Sequence, residues 1–256
     1  MKITQIRNAT LKVECGGMCC LIDPWLQDVG SITSFVEPGM LKNPTVPLPM
    51  PVDEVLSGVD CYIITHVHPD HLDLEFESFE NMAFAAHVLN KAVTVIVQGE
   101  EDAAFMREAG FKSVIRLDDK LNFDGMELVR TPTLHGTEGR PEPAMGLVMM
   151  VPGEPVLYIA GDTVYFQGVE KVLDCFSPNI IVLNAGGAAI GGNRLIMDER
   201  DVLKVHEEAP DAIIIASHLD AVDHASVTRA SLRAFAEEQG IGDRLLIPED
   251  GESIQL

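Results

Sequence analysis

The chain has 256 residues, 46% of them hydrophobic, with 40 acidic side chains against 18 basic ones and a formal net charge of −22. That length suits one domain, or two fused halves sharing a core, and the acidity repels phosphate backbones at long range, which disfavours nucleic acid as a partner. No apolar run reaches the ~18 residues of a membrane helix, and Met1–Arg7 is strand-like without the apolar segment of an export signal, which points to the cytoplasm.

Short strands are predicted over 2–7, 10–15 and 18–22. Cys15, Cys19, Cys20, Cys61 and Cys175 are odd in number and match no Cys-x-x-Cys pattern, so they read as reduced core residues. Residues 27–51 form a long irregular stretch with Gly30, Gly39 and the prolines Pro38, Pro44, Pro47, Pro49 and Pro51. A loop this long in a compact enzyme is usually functional. With Phe35, Met40 and Met50 it is expected to form a lid or an apolar pocket wall, or an oligomer contact.

A buried strand over 59–64 then runs into Thr65-His66-Val67-His68-Pro69-Asp70-His71, which holds three of the chain's 8 histidines. Imidazole nitrogens and carboxylate oxygens are ligands of zinc-like ions, and a strand end can hold them at fixed angles. Side chains alternate along an extended chain, so His66 and His68 face the same side and can grip one ion together. Pro69 disfavours helix at His68. A helical turn beginning near Asp70 or His71 would aim those two toward a neighbouring position, favouring a second metal.

A helix is predicted over 79–91, with His87 packed or at the surface, followed by a strand over 93–98. Glu100-Glu101-Asp102 opens a helix that Gly110 closes. Strands follow near 113–116, 121–123, 126–131, 146–151 and 155–160. His135, in a loop after the 126–131 strand, is a candidate ligand. Asp162 ends the 155–160 strand beside Gly161, where it could bridge two cations. Its ordinary role would be to cap the next helix, which Thr163 could do instead.

The C-terminal half alternates helix 165–174, strand 179–184, helix 198–208, strand 212–217, helix 226–239 and strand 244–248. His218 ends the apolar run 212–217 and is a candidate ligand. His224, just before the helix expected from Ser226, takes that place, lines the substrate pocket, or is an ordinary helix-start residue. His206 is expected to face solvent. Asn184, a candidate substrate-binding residue, opens a Gly-rich loop that is either a plain connection or a close backbone approach to substrate. Strands toward each end with helices between them predict an α/β (α+β) fold, two face-to-face sheets with helices outside, as a four-layer αββα sandwich.

Taken in order, His-x-His-x-Asp-His, His135, Gly161-Asp162-Thr163 and His218 resemble the metallo-β-lactamase superfamily, from about Asn8 to the C-terminus, as a single domain. The resemblance implies that His66, His68 and His135 hold one metal. It implies that Asp70, His71 and His218 hold the other and that Asp162 bridges them, with His224 the alternative to His218. Ile22-Asp23-Pro24 and Ala160-Gly161-Asp162-Thr163 look like the ascorbate-phosphate lactonase-like branch of metal-dependent hydrolases.

Departures from other branches narrow the expectation. His68 stands where flavodiiron-type members place Glu, and the chain leaves no room for the extra domain of RNA-processing members. The implied activity is hydrolysis by a hydroxide bridged between two divalent ions, Zn2+ first and Mn2+ or Fe2+ as alternatives. Asp70 would ligate a metal and orient the hydroxide or receive its proton. The expected substrate is a lactone or other small-molecule ester. The rivals are an iron-dependent oxidoreductase on the same scaffold, a phosphodiesterase, and a non-catalytic ligand or metal binder, against which the intact ligand set argues. A small-molecule substrate is expected, with no nucleic acid or membrane partner and with a homo-oligomer possible.

Overall fold

A computed structural model of the chain describes residues 1–37, 39–78, 81–137 and 140–256. The chain divides into two compact units. The first comprises Met1–Asp118, Ala221–Asp223 and Glu249–Leu256; the second comprises Asp119–Asp220 and His224–Pro248.

In the first unit the N-terminal meander falls where predicted, as β1 (Lys2–Arg7), β2 (Thr10–Cys15) and β3 (Met18–Ile22). β4 (Ile32–Thr33) and β5 (Leu41–Asn43) pair inside the otherwise irregular 27–51 stretch, of which Pro38 lies outside the described residues. The short helix α1 (Val52–Leu56) leads to β6 (Cys61–Ile64). β7 (Leu74–Ser78) pairs with β8 (Asn81–Phe84), and β9 (Thr94–Val97), α2 (Glu100–Glu108) and β10 (Val114–Arg116) follow.

The seven-stranded sheet of this unit runs β10-β9-β6-β3-β2-β1 and closes with Ser253–Gln255. β6 is buried along its whole length and lies parallel between β3 and β9, which accounts for its unbroken apolar run. Leu21, Tyr62, Ile64, Leu72, Val95, Val97 and Met106 share one core.

The helix predicted over 79–91 is corrected. Its first two positions lie outside the described residues. From Asn81 the chain is strand β8 and then turns. Phe84 stacks edge-on against Phe105 and Phe111, with the Lys91 ammonium 3.4 Å above its ring centre. This cluster, together with pairing to β7, overrides the weak helical spacing. His87 is exposed in the turn.

The 27–51 stretch is pinned at several points. Arg7, fully buried, donates from its guanidinium to the carbonyls of Trp25 (2.9 Å), Gln27 (2.9 Å) and Val46 (3.2 Å) and lies 5.0 Å over the Trp25 ring. Burial pulls its pKa down to about 10. Asp223 accepts from the Ser34 hydroxyl, the Asn43 amide (2.9 Å) and the Phe35 backbone (3.3 Å). Burial alone would raise its carboxyl, but the Ser34, Asn43 and Phe35 donors and Lys42 outweigh that and hold it below the usual carboxylate range.

The second unit carries β11 (Lys120–Phe123), β12 (Met126–Thr131), β13 (His135–Thr137), β14 (Arg140–Glu142), β15 (Gly146–Met150) and β16 (Leu157–Ile159). Next come α3 (Gln167–Phe176), β17 (Ile180–Asn184), β18 (Ala189–Ile190), β19 (Asn193–Arg194) and α4 (Glu199–Glu208). β20 (Ile213–Ser217), α5 (Arg229–Gln239) and β21 (Leu245–Leu246) end the unit, and β22 (Ser253–Gln255) is the closing strand of the first sheet. The second sheet runs β11-β12-β15-β16-β17-β20-β21, with β16, β17, β20 and β21 parallel.

Its core gathers Val148, Tyr158, Ile181, Leu183 and Ile214 from the sheet with Val169, Val202 and Leu232 from the helices. α5 begins at Arg229, not near Ser226: Thr228 and Ser231 form its capping box, and Gly240 ends it in a left-handed turn. α3 is entered through Phe166, so neither Asp162 nor Thr163 caps it. Cys15, Cys19, Cys20 and Cys61 are buried as expected, but Cys175 is exposed on α3 and His206 is half-buried on α4. Among the described residues, no helix is long and apolar enough to cross a membrane.

Candidate metal centre

The candidate residues of the first unit follow from two adjacent parallel strands. β3 and β6 run parallel with Ile22 opposite Ile63, so Asp23 and Thr65 emerge from neighbouring strand ends. Asp23 takes up a left-handed backbone (φ 46°), one of the few positions where Asp is at ease. Its carboxylate accepts from the Thr65 backbone N–H (2.7 Å), from the Thr65 hydroxyl (2.7 Å) and from His71 Nδ1 (2.8 Å). The backbone N–H groups of His71 and Leu72 both return to the His68 carbonyl (3.0 and 3.1 Å), which is the turn expected after Pro69.

That turn brings the three imidazoles together. The ring centres of His66 and His68 are 4.3 Å apart, and those of His66 and His71 are 4.1 Å apart. His66 Nε2 and His68 Nδ1 face each other at 2.9 Å, while His66 Nδ1 meets the Thr65 hydroxyl at 3.1 Å. Two ring nitrogens this close must share a proton or a cation. His66, Asp70 and His71 are buried and His68 is half-buried. The Asn8 amide donates to the Asp70 carbonyl (3.0 Å), fixing the turn from the β1–β2 side.

In the second unit the three parallel strands β16, β17 and β20 finish side by side. Their C-terminal ends present Asp162, Asn184 and His218 at one edge of the sheet, the end where α/β sheets commonly place ligands. Asp162 Oδ1 accepts from the Asn184 amide at 2.6 Å, and Asp162 Oδ2 lies 3.8 Å from His135 Nε2. His135 Nδ1 meets the Leu195 carbonyl at 3.0 Å. His218 is buried in a left-handed conformation (φ 59°). The turn after it is held by Asp220, which pairs with the buried Arg229 at 3.0 Å. His224 is half-buried, and its carbonyl accepts from the Ala189 N–H at 3.2 Å. Thr163 accepts from the Leu134 N–H (2.8 Å) and donates to the Val164 carbonyl (2.8 Å).

The donor chemistry fits a divalent transition metal. Three histidines have one ring nitrogen engaged by a fixed oxygen: His66 by Thr65, His71 by Asp23 and His135 by Leu195. The other nitrogen of each is thereby aimed as a lone pair, the arrangement that orients metal-bound imidazoles. Asp23, Thr65 and Leu195 are the partners that sequence reasoning missed. Asp23 stood out only within the Ile22-Asp23-Pro24 resemblance, and its role depends on β3 and β6 being parallel neighbours. Asn184, expected to bind substrate, donates one amide N–H to Asp162 Oδ1 at 2.6 Å.

A histidine cluster at strand ends, oriented by carboxylate and carbonyl, is the donor set of a metal-dependent enzyme. Residues 20–234 match the model of the Beta-lactamase superfamily domain, and the chain belongs to that superfamily, within its UPF0173 group of metal-dependent hydrolases. It is 40% identical over 263 residues to the UPF0173 protein YddR of Bacillus subtilis, covering 99% of each chain.

Two solved structures are similar over 100% of this chain and 99% of their own. One is described as a "possible metal-dependent hydrolase" from Veillonella parvula (32% identity, TM-score 0.91). The other is isothiocyanate hydrolase from Delia radicum gut bacteria (37% identity, TM-score 0.90). The fold is accordingly the metallo-β-lactamase fold expected from the motifs.

Proposed function

We propose that the protein hydrolyses a small electrophilic molecule at a pair of divalent metal ions. His66, His68 and His135 would hold one ion and Asp70, His71 and His218 the second, with Asp162 serving both. The observation that carries this reading is the pre-orientation of His66, His71 and His135 by Thr65, Asp23 and Leu195. A histidine packed only for structure needs no such aimed lone pair. Ions of this kind, when bound, bring the pKa of water down to about 7 and polarise the group under attack. Zinc suits the imidazole-rich set, and the Asp ligands also suit manganese or iron.

The chain's own groups supply the rest. Asp70 is a buried carboxylate next to His71 and takes the proton released as water adds. Asp162 is kept in one orientation by the Asn184 amide. His224, half-buried beyond His218, binds the substrate.

The leading substrate class is an isothiocyanate, supported by the full-length likeness to isothiocyanate hydrolase. Water adds across the C=N bond of R–N=C=S to give a thiocarbamic acid. Its C–N bond then breaks, releasing carbonyl sulfide and the amine R–NH2. A lactone is the second reading, favoured by Ile22-Asp23-Pro24 and Ala160-Gly161-Asp162-Thr163.

The test is metal content by mass spectrometry on wild type and Asp162→Ala, followed by turnover of an aryl isothiocyanate and a small lactone. About two zinc or manganese per chain, lost in the variant, with amine release from the isothiocyanate, is the expected result. Lactone opening alone moves the assignment to the second reading. Two irons with no hydrolysis point to the redox alternative. No metal after reconstitution overturns the mechanism.

A further inference from the structure

We propose that the segment Asn184–Leu195 is a positioning frame for the metal ligands of the second unit, and that Asn184 and Gly186 are its decisive residues. The proposal rests on the metal-centre reading above. The segment carries no Walker or dinucleotide pattern. Its sequence, Asn184-Ala185-Gly186-Gly187-Ala188 followed by Gly191-Gly192, reads as a flexible connection. The structure gives it contacts to every candidate site residue of that unit.

Asn184 Nδ2 donates to Asp162 Oδ1 at 2.6 Å. The Leu195 carbonyl accepts from His135 Nδ1 at 3.0 Å. The Ala189 N–H donates to the His224 carbonyl at 3.2 Å. Gly186 lies flat against His218: a Cβ added there would sit 2.2 Å from the His218 carbonyl oxygen. Backbone atoms cannot yield that much without moving His218, which already holds an uncommon positive φ. Glycine at 186 is therefore what lets the end of β17 seat the strand-end turn of β20.

The frame is itself braced, as a positioning element must be. Ser226 and Val227 both donate their N–H groups to the Gly186 carbonyl (3.0 and 2.9 Å), and Gly187 N–H donates to the Met197 carbonyl (2.9 Å). Leu195 N–H returns to the Ala188 carbonyl (2.8 Å), closing the β18–β19 hairpin. Arg194 anchors that hairpin to α4 through Asp201 (2.8 Å) and Asp198. An amide at 184 is specific to the task. Its NH2 can donate to the Asp162 carboxylate, whereas an Asp there would set two anions against each other.

The test uses the full-length protein, with Zn2+ and Co2+ as probes, and compares wild type with Asn184→Ala, Asn184→Asp and Gly186→Ala. Apo-protein circular dichroism and melting establish that each variant folds. The expected result is metal affinity weakened about 10- to 100-fold in each variant, with a shifted visible spectrum of the Co2+ form. A purely structural loop would leave that spectrum alone. Wild-type affinity and spectrum in folded Asn184→Ala and Asn184→Asp overturn the frame, even if Gly186→Ala does not fold. A wild-type protein that takes up neither ion overturns the metal centre itself, and the frame with it. The two failures are therefore distinguishable.

Discussion

Asp23 Oδ2 lies 2.8 Å from His71 Nδ1, and the same carboxylate holds both the backbone and the hydroxyl of Thr65. One side chain at the end of β3 thus fixes the start of the histidine motif and one of its rings. Asp23→Asn keeps a residue that tolerates positive φ but removes the charge that favours the Nδ1–H tautomer of His71. Metal affinity is expected to fall about 10- to 100-fold, with little change in the fold. Isothermal titration with zinc checks this, and an unchanged affinity would mean that His71 is oriented by something else.

Arg7 supplies donors to three carbonyls from a fully buried site near Asp73. Burial pushes the Asp73 carboxyl up to about 6, against donors from Leu26 and Gln27 and the charge of Arg7. Arg7→Met keeps much of the volume but strands those carbonyls and removes the cation. The variant should lose about 3 kcal/mol of stability. Urea unfolding followed by circular dichroism reads this directly; a loss under about 1 kcal/mol would show that the carbonyls find other donors.

Asp223 ties Ser34, Phe35 and Asn43 together, and its carboxyl is held below the usual range. A depressed carboxyl stabilises the folded state above its unfolded pKa of about 4, and that contribution is lost as pH falls through the folded value. Asp223→Asn should therefore be less stable than wild type at neutral pH, with the gap closing in acid. Melting curves across that range check the sign. A gap independent of pH would place the effect in packing alone.

Gly146 lies in β15, where an added Cβ would stand 2.4 Å from Thr131 Oγ1 and 2.6 Å from the Ala160 carbonyl. Gly146→Ala should cost about 2–3 kcal/mol by overpacking. It should also disturb Asp162, two residues beyond that carbonyl. A thermal shift with and without zinc separates the two effects: a variant that gains as much as wild type on adding metal has been harmed in packing only.

The main strands and the histidine motif at 65–71 were legible in the sequence because each is a local pattern. β1, β2 and β3 match the predicted spans, and the motif 65–71 sits at the end of an apolar strand as read. What was not legible depends on neighbours. The 79–91 segment contains Ala83, Phe84 and Leu89 at near-helical spacing, yet the packing of Phe84 on Phe105 and Phe111 makes it strand and turn. Pairs of two or three residues, such as β4 with β5 and β18 with β19, are too short to show a period. Asp23 and Leu195 could not be found as orienting groups until the strand order and the return path of the loop were known.

β1 pairs on one side with β2 and on the other with β22, and the strap Ala221–Asp223 also belongs to the first unit. On a ribosome, the first 118 residues leave the exit tunnel with the outer edge of β1 still open and the Ser34 and Asn43 side chains lacking their Asp223 partner. The growing chain must carry that bare strand edge, a template for unwanted pairing, until Ser253–Gln255 has been made. Completion of the first sheet therefore waits for Ser253–Gln255 to emerge, and co-translational pulse-labelling should find the β1 edge protected only from that point.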